Sequence, residues 1–106
     1  MTAFTIAAAQ SGSIKGDIAA NVRRHAEFAR IAAEHQCNVV VFPELSLTGY
    51  EPTIAAETAT GADDSVLLPL QELANDSGIM MIAGCPIRSQ TNRFFSEFSG
   101  QYPVGV

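Results

Sequence analysis

The chain has 106 residues, 47% apolar and 16% charged, a balance that suits one domain or part of one and is too apolar for a disordered segment. Six Lys and Arg against eleven Asp and Glu leave a formal net charge of -5 and no basic stripe to neutralise phosphates, so nucleic acid is not an expected partner. The apolar runs are too short to cross a bilayer, and the first residues lack the positive start and apolar core of a secretory signal, so the chain reads as cytoplasmic with no membrane partner.

Residues 4–10 (Phe-Thr-Ile-Ala-Ala-Ala-Gln) form a short apolar run bounded by the turn formers Ser11-Gly12-Ser13, which predicts a buried strand. Asp17 after Gly16 is a good N-cap for a helix over 18–35. Ile18, Val22, Ala26, Ala29 and Ala33 make one apolar stripe at helical spacing. Arg23 with Glu27, and Arg30 with Glu34, are spaced for weak ion pairs on the wet face. His25 lies near the stripe and reads as a half-buried structural residue. Val39-Val40-Val41-Phe42 is apolar on both sides, as in a parallel strand covered on both faces. Strand, helix and strand in this order predict a βαβ unit.

Residues 45–60 carry no clear period and read as a long connection of the kind that is often functional. Asp63, Asp64 and Ser65 offer caps for a second helix to about residue 76, with Val66, Leu70, Leu73 and Ala74 as its stripe. Pro69 fits that helix only in its first turn. Residues 79–83 predict another buried strand, closed by Gly84. Residues 88–92 read as a loop, 93–95 as the possible start of a fourth strand, and about 96–106 as an irregular or aberrant tail.

Cys37 and Cys85 are the only cysteines; without an export signal a disulfide is not expected, and no Cys/His cluster suggests a metal site. In an open α/β sheet, ligands bind beyond the carboxyl ends of the strands, where Glu44 follows Pro43. The residues alone leave two readings open. Glu44 is either a solvated or capping carboxylate, or a partly desolvated one whose raised pKa makes it a proton acceptor near neutral pH. Tyr50 either helps line a pocket or orients Glu44 through its hydroxyl, or else packs as an aromatic after a turn.

Phe42-Pro43-Glu44-Leu45-Ser46-Leu47-Thr48-Gly49-Tyr50 resembles the segment around the catalytic glutamate of the nitrilase superfamily, the carbon–nitrogen hydrolases. Ala7-Ala8-Ala9-Gln10 resembles that family's first strand, Asn21 matches a frequent helix position, and Ile82-Ala83-Gly84-Cys85-Pro86-Ile87-Arg88 resembles its third strand and turn. The match in motif order runs over roughly residues 3 to 95. The resemblance implies the N-terminal part of a four-layer α-β-β-α sandwich within a single, partial hydrolase domain. It implies a Glu-Lys-Cys triad that cleaves small amides or nitriles through a thioester, without metal or organic cofactor, in a homo-oligomer. Glu44 takes the role of general base by that match. The family's lysine and nucleophilic cysteine lie downstream, whereas Lys15 is upstream and Cys85 precedes a proline, so both roles are expected to be absent from this chain. The chain alone is then expected to be inactive, as a segment or a frameshifted product of a longer hydrolase. The alternative is a non-catalytic α/β binding or interaction domain on the same scaffold.

Overall fold

The computed structural model describes residues 3–61, 64–88 and 94–101. The elements are β1 (Ile6–Ala8), α1 (Ile18–Glu34), β2 (Val39–Val41), a short α2 (Ala55–Thr58), α3 (Leu68–Ser77), β3 (Met80–Arg88) and β4 (Phe94–Gln101). They form one four-stranded sheet in the order β1-β2-β3-β4. The first two pairings are parallel, setting Ala7 beside Val40 and Val40 beside Met81; β3 and β4 are antiparallel.

The expected βαβ unit forms, and its parts start and stop for local reasons. The Asp17 side chain caps α1 by accepting from the Ala20 N–H at 3.1 Å. Asp64 accepts from the Val66 N–H at 2.9 Å and opens a 3-10 turn that runs into α3. Pro69 falls in the first turn of α3, where its missing N–H costs nothing. Gly78 ends α3 in the left-handed conformation, φ 66°, and its N–H reaches Ala74 O at 2.9 Å. Asp63 lies outside the described residues.

Both long helices pack on one face of the sheet. Val22, Ala26, Ala29 and Ala32 of α1, with Leu70 and Ala74 of α3, enclose a core with Val40, Phe42, Met81, Ala83 and Cys85. On the other face Ile6 and Ala8 are exposed, and Val41, Met80 and Ile82 are half-buried. The described residues thus supply one helix layer and one sheet layer of the expected sandwich; the other face is covered in part, with Val39, Gly84 and Pro86 buried there.

Four expectations are corrected. The buried face of α1 is Asn21, Val22, His25, Ala26, Ala29 and Ala32, so the stripe is rotated to take in two polar residues, and Ile18 and Ala33 flank it. Asn21 and His25 are each 1% exposed, because hydrogen-bonding partners from a distant turn meet them there. Arg23, Glu27, Arg30 and Glu34 sit on the exposed face, and among the described residues none of them forms an ion pair. Water solvates such charges well enough that little is gained by holding two long side chains together. β3 does not stop at Gly84 but continues through Pro86 to Arg88, and β4 extends to Gln101 where an irregular tail is expected. The reason is mutual: β3 and β4 pair from Met81 with Gln101 to Arg88 with Phe94, and the ladder outweighs weak local propensity. Most of the expected 88–92 loop, and residues beyond 101, lie outside the described residues.

Candidate active site at the end of the second strand

The chain leaves β2 through Phe42, whose N–H donates to Ile82 O at 2.9 Å and keeps it on the sheet. Pro43 follows, and Glu44 opens a tight turn. Ser46 N donates to Pro43 O at 3.1 Å, Thr48 N to Leu45 O at 3.1 Å, and Gly49 N to Leu45 O at 2.7 Å. Within the turn Leu45 is left-handed, φ 52°, although it is not glycine. That conformation costs about 1–2 kcal/mol. Leu45 is 6% exposed, and burying a leucine side chain is worth about 1.5–3 kcal/mol, enough to offset the strain.

Three other segments hold the turn. From the loop after β1, Ser13 Oγ donates to Ser46 O at 2.6 Å and Gly16 N to Thr48 O at 2.9 Å. From β3, Gly84 O accepts from Leu47 N at 3.0 Å. From α1, the Asn21 amide donates to Leu47 O at 2.9 Å and to Ile14 O at 2.8 Å, while its oxygen accepts from Ile14 N at 2.8 Å. His25 completes the set: Nε2 lies 2.7 Å from Ser46 Oγ and Nδ1 lies 2.7 Å from Asn21 O. The His25 ring also stacks on Phe42, with centroids 4.0 Å apart. Burial pushes its pKa down from 6.5 to about 4, against a smaller upward pull from the Asn21 carbonyl.

Gly84 matters for a second reason. A Cβ placed there would lie 2.6 Å from Leu45 N and 3.3 Å from Leu45 Cα. The backbone beside Glu44 therefore rests directly on β3 at a position where only hydrogen fits.

The braced turn presents Glu44 at the carboxyl end of β2, where ligands meet an open α/β sheet. Of the two readings the residues leave open, exposure at Glu44 fits the solvated carboxylate and not the partly desolvated one. Tyr50 is 67% exposed and makes no hydrogen bond to Glu44, so among the described residues it neither packs nor orients the carboxylate. Lys15 is exposed in the loop before α1. Cys37 is half-buried and Cys85 buried, neither in a disulfide. Cys85 belongs to the core, with Sγ 3.7 Å from Thr60 Oγ1. It is next to Gly84 on β3 and so points to the opposite side of the sheet from the Leu45 backbone.

A groove of about 410 Å³ between β1 and α1 is lined by Ala8, Gln10, Phe28, Ile31, His35 and Cys37 among others, and includes neither Glu44 nor Tyr50. Among the described residues no group of three His, Cys, Asp or Glu could hold a metal ion, and no helix is long and apolar enough to cross a membrane.

The sequence reading names Glu44 but misses its supports. The sequence alone does not pair His25 with Ser46, and Asn21 stands out only as a frequent family position. A signal was present: Asn21 and His25 are four apart on an otherwise apolar helix face, a spacing that stacks them together.

Solved structures share this fold. A CN-hydrolase superfamily protein from Xanthomonas campestris, with an arsenic adduct in its active site, superposes with a TM-score of 0.85 at 20% identity, over 100% of this chain and 39% of its own. An amidase from Nesterenkonia sp. gives a TM-score of 0.79 at 22% identity, over 94% of this chain and 38% of its own. A glutamine-dependent NAD+ synthetase from Acinetobacter baumannii gives 0.77 at 20% identity, over 97% of this chain and 19% of its own. At these identities the likeness is one of fold, and the chain spans about two fifths or less of the length of each. The model of the carbon-nitrogen hydrolase family matches residues 5–101, nearly the whole sequence, and with the nitrilase-like fold already seen this chain belongs to that family.

Proposed function

We propose that residues 1–106 are the N-terminal portion of one hydrolase domain of amidase or nitrilase type, with Glu44 as its general base and a small amide or nitrile as substrate. The observation that carries this is the presentation of Glu44 on a turn braced from three sides at the carboxyl end of β2, inside the segment matched to the family. Cys85 is buried on the far side of the sheet, which supports placing the nucleophilic cysteine, and with it the lysine, outside these residues. In the Nesterenkonia amidase, a variant structure carries the acetamide moiety of fluoroacetamide on an active-site cysteine, which supports a thiol nucleophile for the fold.

On this reading the Glu44 carboxylate takes the thiol proton, and the sulfur adds to the carbonyl carbon. The lysine ammonium stabilises the oxygen's developing charge. Glu44 then gives its proton to the leaving nitrogen as the carbon–nitrogen bond breaks, and a thioester remains. A water, deprotonated by Glu44, attacks the thioester, and the proton returns to the departing sulfur. Tyr50, six residues on and exposed, lines the substrate side of the site. A homo-oligomeric assembly belongs to the same reading and stands on the resemblance alone.

The test is Glu44→Gln in the full-length hydrolase. Turnover should fall by at least about a hundredfold, the low end of general-base contributions. The melting temperature should change little, because the side chain is exposed. Near-normal kcat in the variant would remove Glu44 from the mechanism. Residues 1–106 alone should turn over no amide.

A further inference from the structure

The mechanism uses none of the buried polar groups beneath the Glu44 turn, and one of them is ionisable. His25 is 1% exposed, and both its ring nitrogens have partners at 2.7 Å. The Asn21 carbonyl can only accept, so Nδ1 carries the proton and donates to it. Nε2 is then a bare acceptor, and the Ser46 hydroxyl donates to it. Ser46 is itself 1% exposed, and its carbonyl is held by Ser13. Among the described residues, the groups in contact with the ring are the Asn21 carbonyl from α1, the Ser46 hydroxyl from the turn and the Phe42 ring from the end of β2. None of these is charged or titratable near neutral pH. With no opposite charge beside it, the buried ring stays uncharged, and in that form Ser46 is the donor.

We propose that His25 and Ser46 form a positioning latch for the proposed catalytic base: neutral His25 accepts the Ser46 hydroxyl and ties the turn that presents Glu44 to helix α1. The proposal rests on the reading of Glu44 as general base. Protonation of His25 puts a hydrogen on Nε2, so the Ser46 hydroxyl can then only accept from the ring and must turn its own proton elsewhere; the contact reverses direction and leaves a charge buried. His25 is a positioning residue and touches no reacting atom. A misplacement near 1 Å at a catalytic group can cost roughly a hundredfold in rate.

The experiment compares Ser46→Ala, Ser46→Thr, His25→Gln and Glu44→Gln in the full-length hydrolase, with kcat and KM expressed per folded molecule. Ser46→Ala should lower kcat by about ten- to a hundredfold and leave KM nearly unchanged. Ser46→Thr and His25→Gln keep a hydroxyl donor and an amide acceptor respectively, and should recover most of the rate. A normal kcat for Ser46→Ala, alongside a lowered melting temperature, would show a purely structural contact and overturn the latch. If Glu44→Gln keeps its rate, the general-base reading fails first; if it loses its rate while Ser46→Ala does not, only the latch fails. Nitrogen NMR of the imidazole in the unmodified protein gives a second readout that survives a variant's failure to fold. The ring should hold its proton on Nδ1 and stay uncharged at pH 5.5. A charged ring there, or a proton on Nε2 at neutral pH, also overturns the proposal.

Discussion

Replacing Gly84 by alanine tests whether β3 sets the position of the Glu44 turn. The new methyl would lie 2.6 Å from Leu45 N, whereas ordinary contact begins near 3.4 Å, so something must move by about 0.8 Å. The obstacle is main chain and not the end of a flexible side chain, and the neighbouring bond from Leu47 N to Gly84 O ties the two segments together. Overpacking of this kind costs about 1–3 kcal/mol. Gly84 is not in the left-handed region, so alanine meets no backbone strain and regains about 0.4–1 kcal/mol from a stiffer unfolded chain. The net loss is about 1–2 kcal/mol by urea denaturation. The rate effect is larger in proportion: a shift near 1 Å beside Glu44 should lower kcat roughly a hundredfold in the full-length hydrolase. Gly78→Ala is the control, since nothing lies within 4 Å of a Cβ there and its φ of 66° gives a penalty of backbone strain only, about 1–2 kcal/mol, far from the turn. It should lose similar stability and keep its kcat. If Gly84→Ala keeps both stability and rate, the close approach of β3 to Leu45 does not position Glu44.

Acid should destabilise the fold through His25. Above pH 6.5 the ring is neutral folded and unfolded; as pH falls from 6.5 to about 4 only the unfolded chain takes the proton, and about 3 kcal/mol of stability is lost. The slope of stability against pH over that window should be shallower in His25→Gln by up to about 1.4 kcal/mol per pH unit; equal slopes would refute the assignment. Asn21→Ala removes three hydrogen bonds at a buried site and should cost on the order of 3 kcal/mol. Asn21→Asp should cost more, because a carboxylate oxygen would face the Ile14 and Leu47 carbonyls; an aspartate variant as stable as wild type would contradict the network. In thiol labelling of the native chain, half-buried Cys37 should react well before buried Cys85, and equal rates would show that the core around β3 opens readily.

Much of this fold is legible from neighbours in the chain. The helical period from Ile18, the Asp17 cap, the valine run of β2, the Pro69 position and the Gly78 stop each depend on residues within a turn or two. Glu44 at the end of β2 follows from the same local order, and the string from Phe42 to Tyr50 carries the family likeness without any structure. What only the tertiary structure decided involves partners far apart. β3 and β4 reach their full length because they pair from Met81 with Gln101 to Arg88 with Phe94, although residues 84–88 and 96–101 alone have no clean strand pattern. Asn21 and His25 are buried because Leu47 O and Ser46 Oγ, 26 and 21 residues on, satisfy them; a helical period records which face turns inward but not which polar atoms wait there. Gly84 is required by backbone that approaches from Leu45, and Glu44 is exposed because the chain passes the sheet end before it turns. Local pattern is set by bonds along the chain, whereas burial, register and close approach are set by which distant segments come to lie together in space.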